Sequence, residues 1–335
     1  MNKILVTGGL GYIGSHTVVA LQNAGYEVVI IDDLSNANVD FVDRIASITN
    51  VKPSFYEIDL KDQEKVNHFF SENKIDGIIH FAAHKAVGES VDKPLMYYRN
   101  NLVGLLNILD AMKDFNADNI IFSSSCTVYG QADKMPINEN TPLKKPESPY
   151  GKTKQMGEEI LEDFSNAFNK KVICLRYFNP VGAHSSSKIG ELPNGIPNNL
   201  IPYVTQTAAG IREYLSVFGG DYPTKDGTAI RDYIDVNDLA DAHVLAIARL
   251  LENKNKSKLE FFNLGTGTGS TVLEVVHAFE NANNLKINYQ IKERRLGDIV
   301  EAYANNSLAA AELNWQPKVS LTDSMLTAWE WQKSI

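Results

Sequence analysis

The amino-acid sequence predicts an α/β fold in which a doubly wound parallel sheet carries a smaller mixed α/β lobe. Over the first 180 residues, short apolar runs of strand type alternate with longer helical patterns, as parallel strands joined by crossover helices require. The candidate strands are residues 3–6, 27–31, 54–58, 77–81, 119–123 and 172–177. The chain has 335 residues, and single cores stop growing at about 250 to 300 residues, so two lobes are expected.

The first candidate strand leads into a glycine-rich turn. Gly8, Gly11 and Gly14 lie between the apolar residues 4–6 and a helical pattern that continues to Ala24. Such glycines let the backbone approach a pyrophosphate, which binds to the amide groups at the helix N-terminus. A glycine-rich turn alone is often only a turn, but the order of strand, turn and helix favours a Rossmann-type dinucleotide site.

The second candidate strand ends in Asp32 and Asp33, about twenty residues beyond the glycines, where a carboxylate binds the adenosine ribose diol. No arginine occurs within residues 32–37 to meet a 2′-phosphate, which favours NAD over NADP. The alternative for Asp32 is a solvated carboxylate in a turn.

The later strands should bring functional residues to the same edge of the sheet, because ligands bind at the carboxyl ends of parallel strands. Asp59 follows the third strand, where it could reach adenine, and residues 81–83, 123–125 and 178–180 end the next three. We expect residues 1–180 to form the NAD-binding domain, with a return of the chain to it at about 232–262. Residues 181–335 are then the substrate-binding lobe.

Tyr150 and Lys154 are four residues apart in a segment with a helical pattern, so their side chains should share one helix face. A free tyrosine has a pKa near 10, and a base near neutrality needs a drop of about three units, or roughly 4 kcal/mol. One cation about 5 Å away supplies roughly 3 kcal/mol at an effective dielectric constant of about 20. An oxidised nicotinamide would supply the second positive charge. The pair therefore indicates proton transfer beside a nicotinamide.

Composition excludes several other classes of protein. The net charge of -9 and the lack of a basic run with interleaved aromatic residues argue against nucleic acid as a partner. No run of about 18 apolar residues occurs, so we expect a cytoplasmic protein without a membrane partner. Cys126 and Cys174 are expected to be reduced and buried, and the spacing of His80 and His84 across a strand end does not indicate a metal site.

Seven segments carry a resemblance to a known family. They are VTGGLGYIGSH (6–16), HFAAHKAVGES (80–90), SSSCTVYG (123–130), SPYGKTK (148–154), LRYFNPVGAH (175–184), IPNNL (196–200) and GTAIRDYI (227–234). From residue 3 to about residue 331 the chain resembles the extended short-chain dehydrogenases/reductases and, among them, the UDP-glucose 4-epimerase family. The later segments discriminate most, because many oxidoreductases share the glycine turn and the Tyr-x-x-x-Lys pair.

The resemblance implies a reaction and a set of site residues. The reaction is reversible epimerisation at C4 of UDP-hexoses: Ser125 and Tyr150 would bracket the 4-hydroxyl, Tyr150 would take its proton, and tightly bound NAD would take and return the hydride. Lys154 would hold the nicotinamide ribose. The implied cofactor contacts are Gly8, Gly11, Tyr12, Ile13, Gly14, Asp32, Asp33, Leu34, Ser35, Asn36, Asp59, Leu60, Phe81, Ala82, Ala83, Lys85, Asn100, Tyr150, Lys154 and Phe178. The implied substrate contacts are Lys85, Ser125, Tyr150, Asn179, Asn199, Leu200, Phe218, Arg231, Arg295, Asp298 and Ala302.

Three further expectations depend on the resemblance. Related dehydratases carry an Asp-Glu pair where this chain has Cys126 and Thr127, so elimination lacks its acid and base. Ala302 replaces a large residue of some relatives, which leaves room for an N-acetyl group unless Tyr303 occupies the position instead. A homodimer would be built on the helices at 95–112 and 150–168.

Two other functions remain open from the sequence. An NAD(P)-dependent keto-sugar reductase would use the same Ser, Tyr and Lys but release its cofactor after each turnover. A non-catalytic NAD-binding sensor would be expected to lose the Tyr and Lys pair, and this chain has both.

Overall fold

The computed structural model describes residues 1–295 and 298–335. The strands are β1 (Lys3–Thr7), β2 (Glu27–Asp32), β3 (Ser54–Glu57), β4 (Gly77–His80), β5 (Asn119–Ser125), β6 (Lys171–Tyr177), β7 (Asn179–Val181), β8 (Leu215–Phe218), β9 (Ile230–Arg231), β10 (Tyr233–Asp235), β11 (Leu259–Leu264), β12 (Ser270–Thr271), β13 (Tyr289–Lys292) and β14 (Glu301–Ala302). The helices are α1 (Tyr12–Asn23), α2 (Phe41–Thr49), α3 (Gln63–Glu72), α4 (Val87–Asp92), α5 (Pro94–Tyr98), α6 (Gly104–Asp114), α7 (Pro149–Phe168), α8 (Leu200–Ala208), α9 (Val236–Leu251), α10 (Val272–Asn283), α11 (Ser307–Leu313) and α12 (Leu321–Lys333).

A seven-stranded sheet with the order β11-β6-β5-β4-β1-β2-β3 forms the body of the molecule, and all its neighbouring strands are parallel. The chain moves outward from β1 through β2 and β3 in one direction and from β4 through β6 in the other. The strand order therefore reverses between β1 and β4, which is where doubly wound sheets bind ligands. The predicted fold class is confirmed.

Alternation along the buried strands builds a three-layered molecule. In β1, Ile4 and Val6 contribute to one apolar cluster together with residues of α1 and α9, such as Val18 and Ile247. Leu5 contributes to the opposite cluster, which contains residues of α3, α6 and α7. The site at the carboxyl edge thus stands on a scaffold packed on both faces.

The smaller lobe contains three small sheets. They pair β7 with β10, β8 with β13, and β9 with both β12 and β14. A separate apolar cluster joins α8, α10 and α12 through Val204, Phe279 and Met325.

Two predicted elements differ from the structure. β5 continues through Ser125, so the serine run lies inside a strand rather than after it. The pattern at 95–112 predicts one helix, but α5 and α6 are separated by a π-helical turn, Arg99–Val103. Asn101 in that turn is buried, donates to the His84 carbonyl (3.0 Å) and the Thr153 hydroxyl (3.0 Å), and accepts from the His84 amide (2.8 Å). These hydrogen bonds stabilise the local widening of the helix.

Candidate active site

The glycine turn forms a close-fitting cradle at the reversal point of the sheet. Gly8 has a φ of +70°, and a Cβ there would lie 2.8 Å from the Ala82 nitrogen at the end of β4. A Cβ on Gly14 would lie 2.2 Å from the Gly8 carbonyl oxygen. Only glycine fits both positions. The first turn of α1, with Tyr12 and Ile13, therefore sits directly against β1, as a dinucleotide cradle requires.

Asp32 connects this cradle to the loop after β2. Its two carboxylate oxygens accept from the backbone amides of Leu10 and Leu34, both at 3.1 Å. Burial raises the pKa of Asp32, and these two hydrogen bonds oppose the rise. Leu34 has a φ of +58°, a backbone conformation that costs energy in a leucine. Ser35 donates through both its amide and its hydroxyl to Asp33, so the loop that carries the predicted ribose contacts is ordered.

Further predicted cofactor residues lie along the same edge. Lys61 forms an ion pair with Asp59 (2.9 Å) and donates to the side-chain oxygen of Asn100 (2.9 Å). Asp59 and Asn100 are predicted cofactor residues. Lys61, which the sequence pattern did not indicate, joins them.

The catalytic candidates come together where β5 meets the start of α7. Ser148 caps α7 by accepting from the Gly151 amide (3.2 Å), and Pro149 occupies its first position. This start points Tyr150 and Lys154 toward the end of β5, where Ser125 lies close enough to Tyr150 to lower its pKa. Lys154 is 4% exposed, and its ammonium donates to the Ser123 carbonyl at 2.6 Å.

Burial dominates the pKa values of Tyr150 and Lys154. Burial raises the pKa of Tyr150 to about 12, although the Ser125 hydrogen bond lowers it. Burial also lowers the pKa of Lys154 to about 8, against the opposing effects of Glu158 and Cys174. The lowering of the Tyr150 pKa by Lys154 together with a bound nicotinamide stays a prediction, because burial dominates both groups in the chain alone. The ammonium is directed at Ser123 and lies 6.0 Å from the centre of the Tyr150 ring.

Glu158 is a functional candidate that the sequence interpretation missed. It follows Lys154 by four residues on the same helix, is 4% exposed, and accepts from the Ser124 hydroxyl at 2.5 Å. Arg176 of β6 binds both its oxygens, at 2.8 and 2.7 Å. The i, i+4 spacing after Lys154 was the available signal, but the partners are distant in sequence.

Glu191 is a second residue that was missed. Its Oε1 accepts from Lys85 at 2.8 Å and from Asn199 at 2.6 Å, so two predicted ligand contacts share one carboxylate. The Trp331 indole donates to the Glu191 carbonyl (2.9 Å) and fixes the segment. The carboxylate bridges the loop after β4 and the start of α8.

The residues predicted to hold UDP form a cluster in the smaller lobe. Arg231 forms an ion pair with Asp298, and the Arg295 guanidinium lies 4.1 Å from the centre of the Phe218 ring. Burial lowers the pKa of Arg295, and the charge of Arg231 lowers it further while Asp298 opposes the shift. Arg231 and Arg295 together carry two positive charges against the one carboxylate of Asp298, and paired guanidinium groups suit the recognition of a diphosphate.

Asn179 and Leu200 lie at the starts of β7 and α8 respectively. The Asn179 amide donates to the Asp232 carbonyl at 3.0 Å, which ties β7 to β10. This hydrogen bond does not involve Arg231 or Arg295.

The register of β14 places Ala302 and Tyr303 on opposite faces. Ala302 is buried in an apolar cluster with Phe178 and Val128, against which Cys126 packs. The Tyr303 ring is directed at Gly269, where an added Cβ would meet it at 3.0 Å. The side of the strand that faces the Ser125 region is therefore occupied by the alanine.

The two cysteines are free, as expected, but Cys126 is only partly buried while Cys174 is fully buried. Burial raises the pKa of the Cys126 thiol to about 12, so it stays protonated. Within residues 1–295 and 298–335, no three or more His, Cys, Asp or Glu side chains are grouped so that they could hold a metal ion. In the same part of the chain, no helix has both the length and the apolar character needed to cross a bilayer.

Comparison with known proteins places the chain in a family. The model of the family described as GDP-mannose 4,6 dehydratase matches residues 5–327. A UDP-glucose 4-epimerase of Bacillus subtilis (strain 168) is 52% identical over 332 residues, which cover 99% of this chain and 97% of the relative.

Solved structures agree with this assignment. A UDP-glucose 4-epimerase from Stenotrophomonas maltophila, solved with NAD and formylated UDP-arabinopyranose, is 45% identical with a TM-score of 0.96 and covers 100% of this chain and 98% of its own. The enzyme from Bifidobacterium longum, in complex with NAD+ and UDP, is also 45% identical with a TM-score of 0.96, covering 99% and 98%. The chain therefore belongs to this family of extended short-chain dehydrogenases/reductases and, within it, to the UDP-glucose 4-epimerases.

Proposed function

We propose that this protein is an isomerase that interconverts UDP-glucose and UDP-galactose by reversible epimerisation at C4. The observation that carries the proposal is the convergence of Ser125, Tyr150 and Lys154 at the carboxyl edge of the sheet, in a chain related over its full length to UDP-glucose 4-epimerases. Family membership favours this activity over a keto-sugar reductase or a non-catalytic sensor.

NAD is the cofactor that fits the residues present. At Gly8 and Gly14 the backbone packs too closely to admit a Cβ, which brings the first turn of α1 against β1 for a pyrophosphate, and Asp32 presents a carboxylate at the end of β2 for a ribose diol. When bound, NAD would supply the acceptor for the hydride from C4 of the sugar and the donor that gives the hydride back.

The side chains of this chain move the proton. Tyr150 takes the proton of the 4-hydroxyl in one half-reaction and returns it to the same oxygen in the other. Ser125 donates a hydrogen bond that orients this oxygen, while the Lys154 ammonium favours the phenolate form of Tyr150. Cys126 and Thr127 provide no carboxylate at the positions where related dehydratases hold their acid and base, so the 4-keto sugar is not committed to elimination.

The smaller lobe holds the nucleotide in this proposal. Residues 181–335 bind the UDP-sugar, and residues 1–180, with the return at about 232–262, hold NAD. Arg231 and Arg295 bind the diphosphate and Asp298 binds the uridine ribose, with Phe218 against the base end. Asn179, Asn199 and Leu200 contribute at the crevice. A firm hold on UDP and a loose hold on the sugar let the 4-keto sugar present either face.

UDP-N-acetylglucosamine and UDP-N-acetylgalactosamine are a second substrate pair. The supporting observation is that Ala302, and not Tyr303, lies beside Phe178 and Cys126. A small side chain there leaves volume for the N-acetyl group at C2 of the sugar.

We also propose a homodimer. Apolar side chains with 37 to 67% exposure follow one another along α4, α5, the π-helical turn and α6, and α4 and α5 pack on α7. They are Val87, Val91, Leu95, Val103 and Leu106. A continuous apolar surface of this kind is typical of a subunit interface.

One incubation tests the proposed function. The purified protein, without added nucleotide, should convert UDP-galactose to UDP-glucose and should release NAD when it is denatured. Consumption of external NADPH in proportion to product would instead identify a reductase, and binding of NAD without turnover would identify a sensor. Parallel incubation with UDP-N-acetylgalactosamine tests the second substrate pair: no detectable epimerisation of the acetylated sugar would refute it.

A further inference from the structure

The Glu158 carboxylate is the centre of a buried polar network behind the catalytic residues. Ser124 and Arg176 together donate three hydrogen bonds to it, and Arg176 also donates to the Tyr129 hydroxyl at 3.0 Å. Tyr129 in turn donates to Asn263 at 2.7 Å. The network thus connects α7, β5, β6 and β11 through fully satisfied polar groups.

Such a network is not explained by stability alone. Removing a carboxylate and a guanidinium from water costs several kcal/mol per ion, and apolar replacements of similar size are often as stable. The position of the network beside the catalytic groups therefore indicates a functional role.

The middle serine of β5 connects the network to the catalytic residues. Ser123 accepts from Lys154 through its carbonyl, Ser124 donates to Glu158, and Ser125 lies next to Tyr150. Glu158 thus holds the residue whose two neighbours contact the catalytic pair. We propose that Glu158 is a positioning residue for the proposed epimerase reaction: its buried carboxylate fixes β5 against α7 and lies one helical turn from the Lys154 ammonium.

The surroundings of Lys154 explain the need for this anion. The groups around Lys154 are His80 of β4, Phe122 and the Ser123 carbonyl of β5, Tyr150 and Glu158 of α7, and Cys174 of β6. Arg176 lies beyond Cys174, and Tyr97 of α5 and Tyr177 of β6 lie next to Tyr150. Burial keeps His80 neutral by lowering its pKa to about 3, and it raises the pKa of the Cys174 thiol. Glu158 is therefore the carboxylate of this group, and Arg176 binds both its oxygens.

Glu158 therefore acts on Lys154 electrostatically and does not itself contact the substrate. Burial drives the pKa of Lys154 down to about 8, and the charge of Glu158 opposes that change. Without the carboxylate, Lys154 would lose its proton at a lower pH. A neutral Lys154 no longer favours the Tyr150 phenolate.

The variant E158Q tests this proposal because it keeps the shape and removes the charge. The alkaline limb of kcat should move to lower pH by about one unit or more, while KM for UDP-galactose changes less than twofold. S124A removes one hydrogen bond but leaves the charge, so its alkaline limb should stay in place. E158D keeps the carboxylate, so its alkaline limb should lie close to that of the parent protein. An unmoved limb in folded, NAD-containing E158Q, or an equal shift in S124A, would overturn the proposal.

A second variant and a titration of Lys154 test the role of Glu158 independently of the rates of E158Q. If E158Q does not fold because Arg176 is left unpaired, the variant R176Q removes the positive charge that opposes Glu158 and should move the alkaline limb to higher pH; an unmoved limb would overturn the proposal. The titration of Lys154, followed by the 13C shift of its Cε carbon in lysine-labelled protein and assigned with K154R, needs no substrate. It separates the two hypotheses: a parent protein without epimerase activity refutes the proposed function, whereas an unchanged Lys154 titration in the variant refutes the role of Glu158.

Discussion

The phenol of Tyr150 is the residue on which the chemistry depends, and in the chain alone it is a poor base. Lowering its pKa from about 12 to near neutrality requires about 7 kcal/mol. Two positive charges about 5 Å away supply roughly 3 kcal/mol each at an effective dielectric constant of about 20. Lys154 is one of them and an oxidised nicotinamide is the other, so proton transfer is coupled to the presence of cofactor.

Replacing Tyr150 by Phe should remove turnover without removing NAD. Loss of a general acid–base group lowers rates by about 10²- to 10⁴-fold, while the cradle around Gly8 is unaffected. Initial rates with UDP-galactose, and NAD released on denaturation, measure the two effects. Y289F, at an exposed strand far from this edge, is the matched control. Retained activity in Y150F would refute the assigned role.

Turnover should fall as the pH rises above about 8, because Lys154 then loses its proton. The same group makes a contribution to stability of opposite sign. Its pKa is lower in the folded than in the unfolded chain, so the unfolded chain binds more protons between about pH 8 and 10.5, and this contribution rises with pH there. Rate profiles combined with unfolding at several pH values would check both signs. A rate that stays flat to pH 10 would contradict the account of Lys154.

At this scale the sequence predicted what depends on local spacing. Tyr150 and Lys154 are one helical turn apart, and Gly8 and Gly14 belong to one turn, so their roles follow from short segments. Glu158 and Glu191 were not predicted because their meaning comes from Arg176, Lys85 and Asn199, which are brought to them by the fold. A carboxylate on a helix or loop is otherwise indistinguishable from a solvated one.

At the scale of elements, the start of α7 determines where the catalytic pair points. Ser148 satisfies the Gly151 amide, and its loss should cost about 1 kcal/mol. S148A should also lower kcat, because fraying of the first turn displaces Tyr150. S320A removes the equivalent cap of α12, at a distance from the site, and should cost similar stability with unchanged kcat. Denaturant unfolding and initial rates measure both variants. Equal kcat values in the two would show that the cap does not position Tyr150.

The register of β14 decides which sugars fit. A302Y places a large side chain beside Phe178 and should abolish turnover of UDP-N-acetylgalactosamine while UDP-galactose is still converted. Y303A changes the opposite face and should leave the ratio of the two kcat/KM values within about threefold. Competition between the two substrates gives this ratio directly. If Y303A rather than A302Y changed the selectivity, the pocket assignment would be wrong.

Element boundaries were the part of the fold that local patterns described least well. The run at 95–112 has helical periodicity throughout, but the buried amide of Asn101 finds partners in residues 84 and 153 and opens a π-helical turn. Likewise, β5 keeps all three serines in the strand because each has a partner on a neighbouring element. Tertiary hydrogen bonds, which no local window contains, determined both outcomes.

At the scale of the whole molecule, the proposed apolar interface predicts a dimer. L95K places a charge on a side chain that is 67% exposed in the single chain and should convert the dimer to monomers. I211K, at a site 63% exposed outside that surface, is the control and should remain dimeric. Light scattering after size exclusion reports the mass. A monomeric parent protein, or a dimeric L95K, would contradict the proposed interface.

In the proposed reaction, one hydride leaves C4 and returns to the same carbon within one protein molecule. The most direct measurement uses UDP-glucose carrying deuterium at C4 and follows the label by NMR and mass spectrometry, with unlabelled NADH present in solution. The account predicts UDP-galactose that keeps its deuterium at C4, with no label in the external NADH or in water. Loss of the label to solvent or to the added cofactor would contradict it.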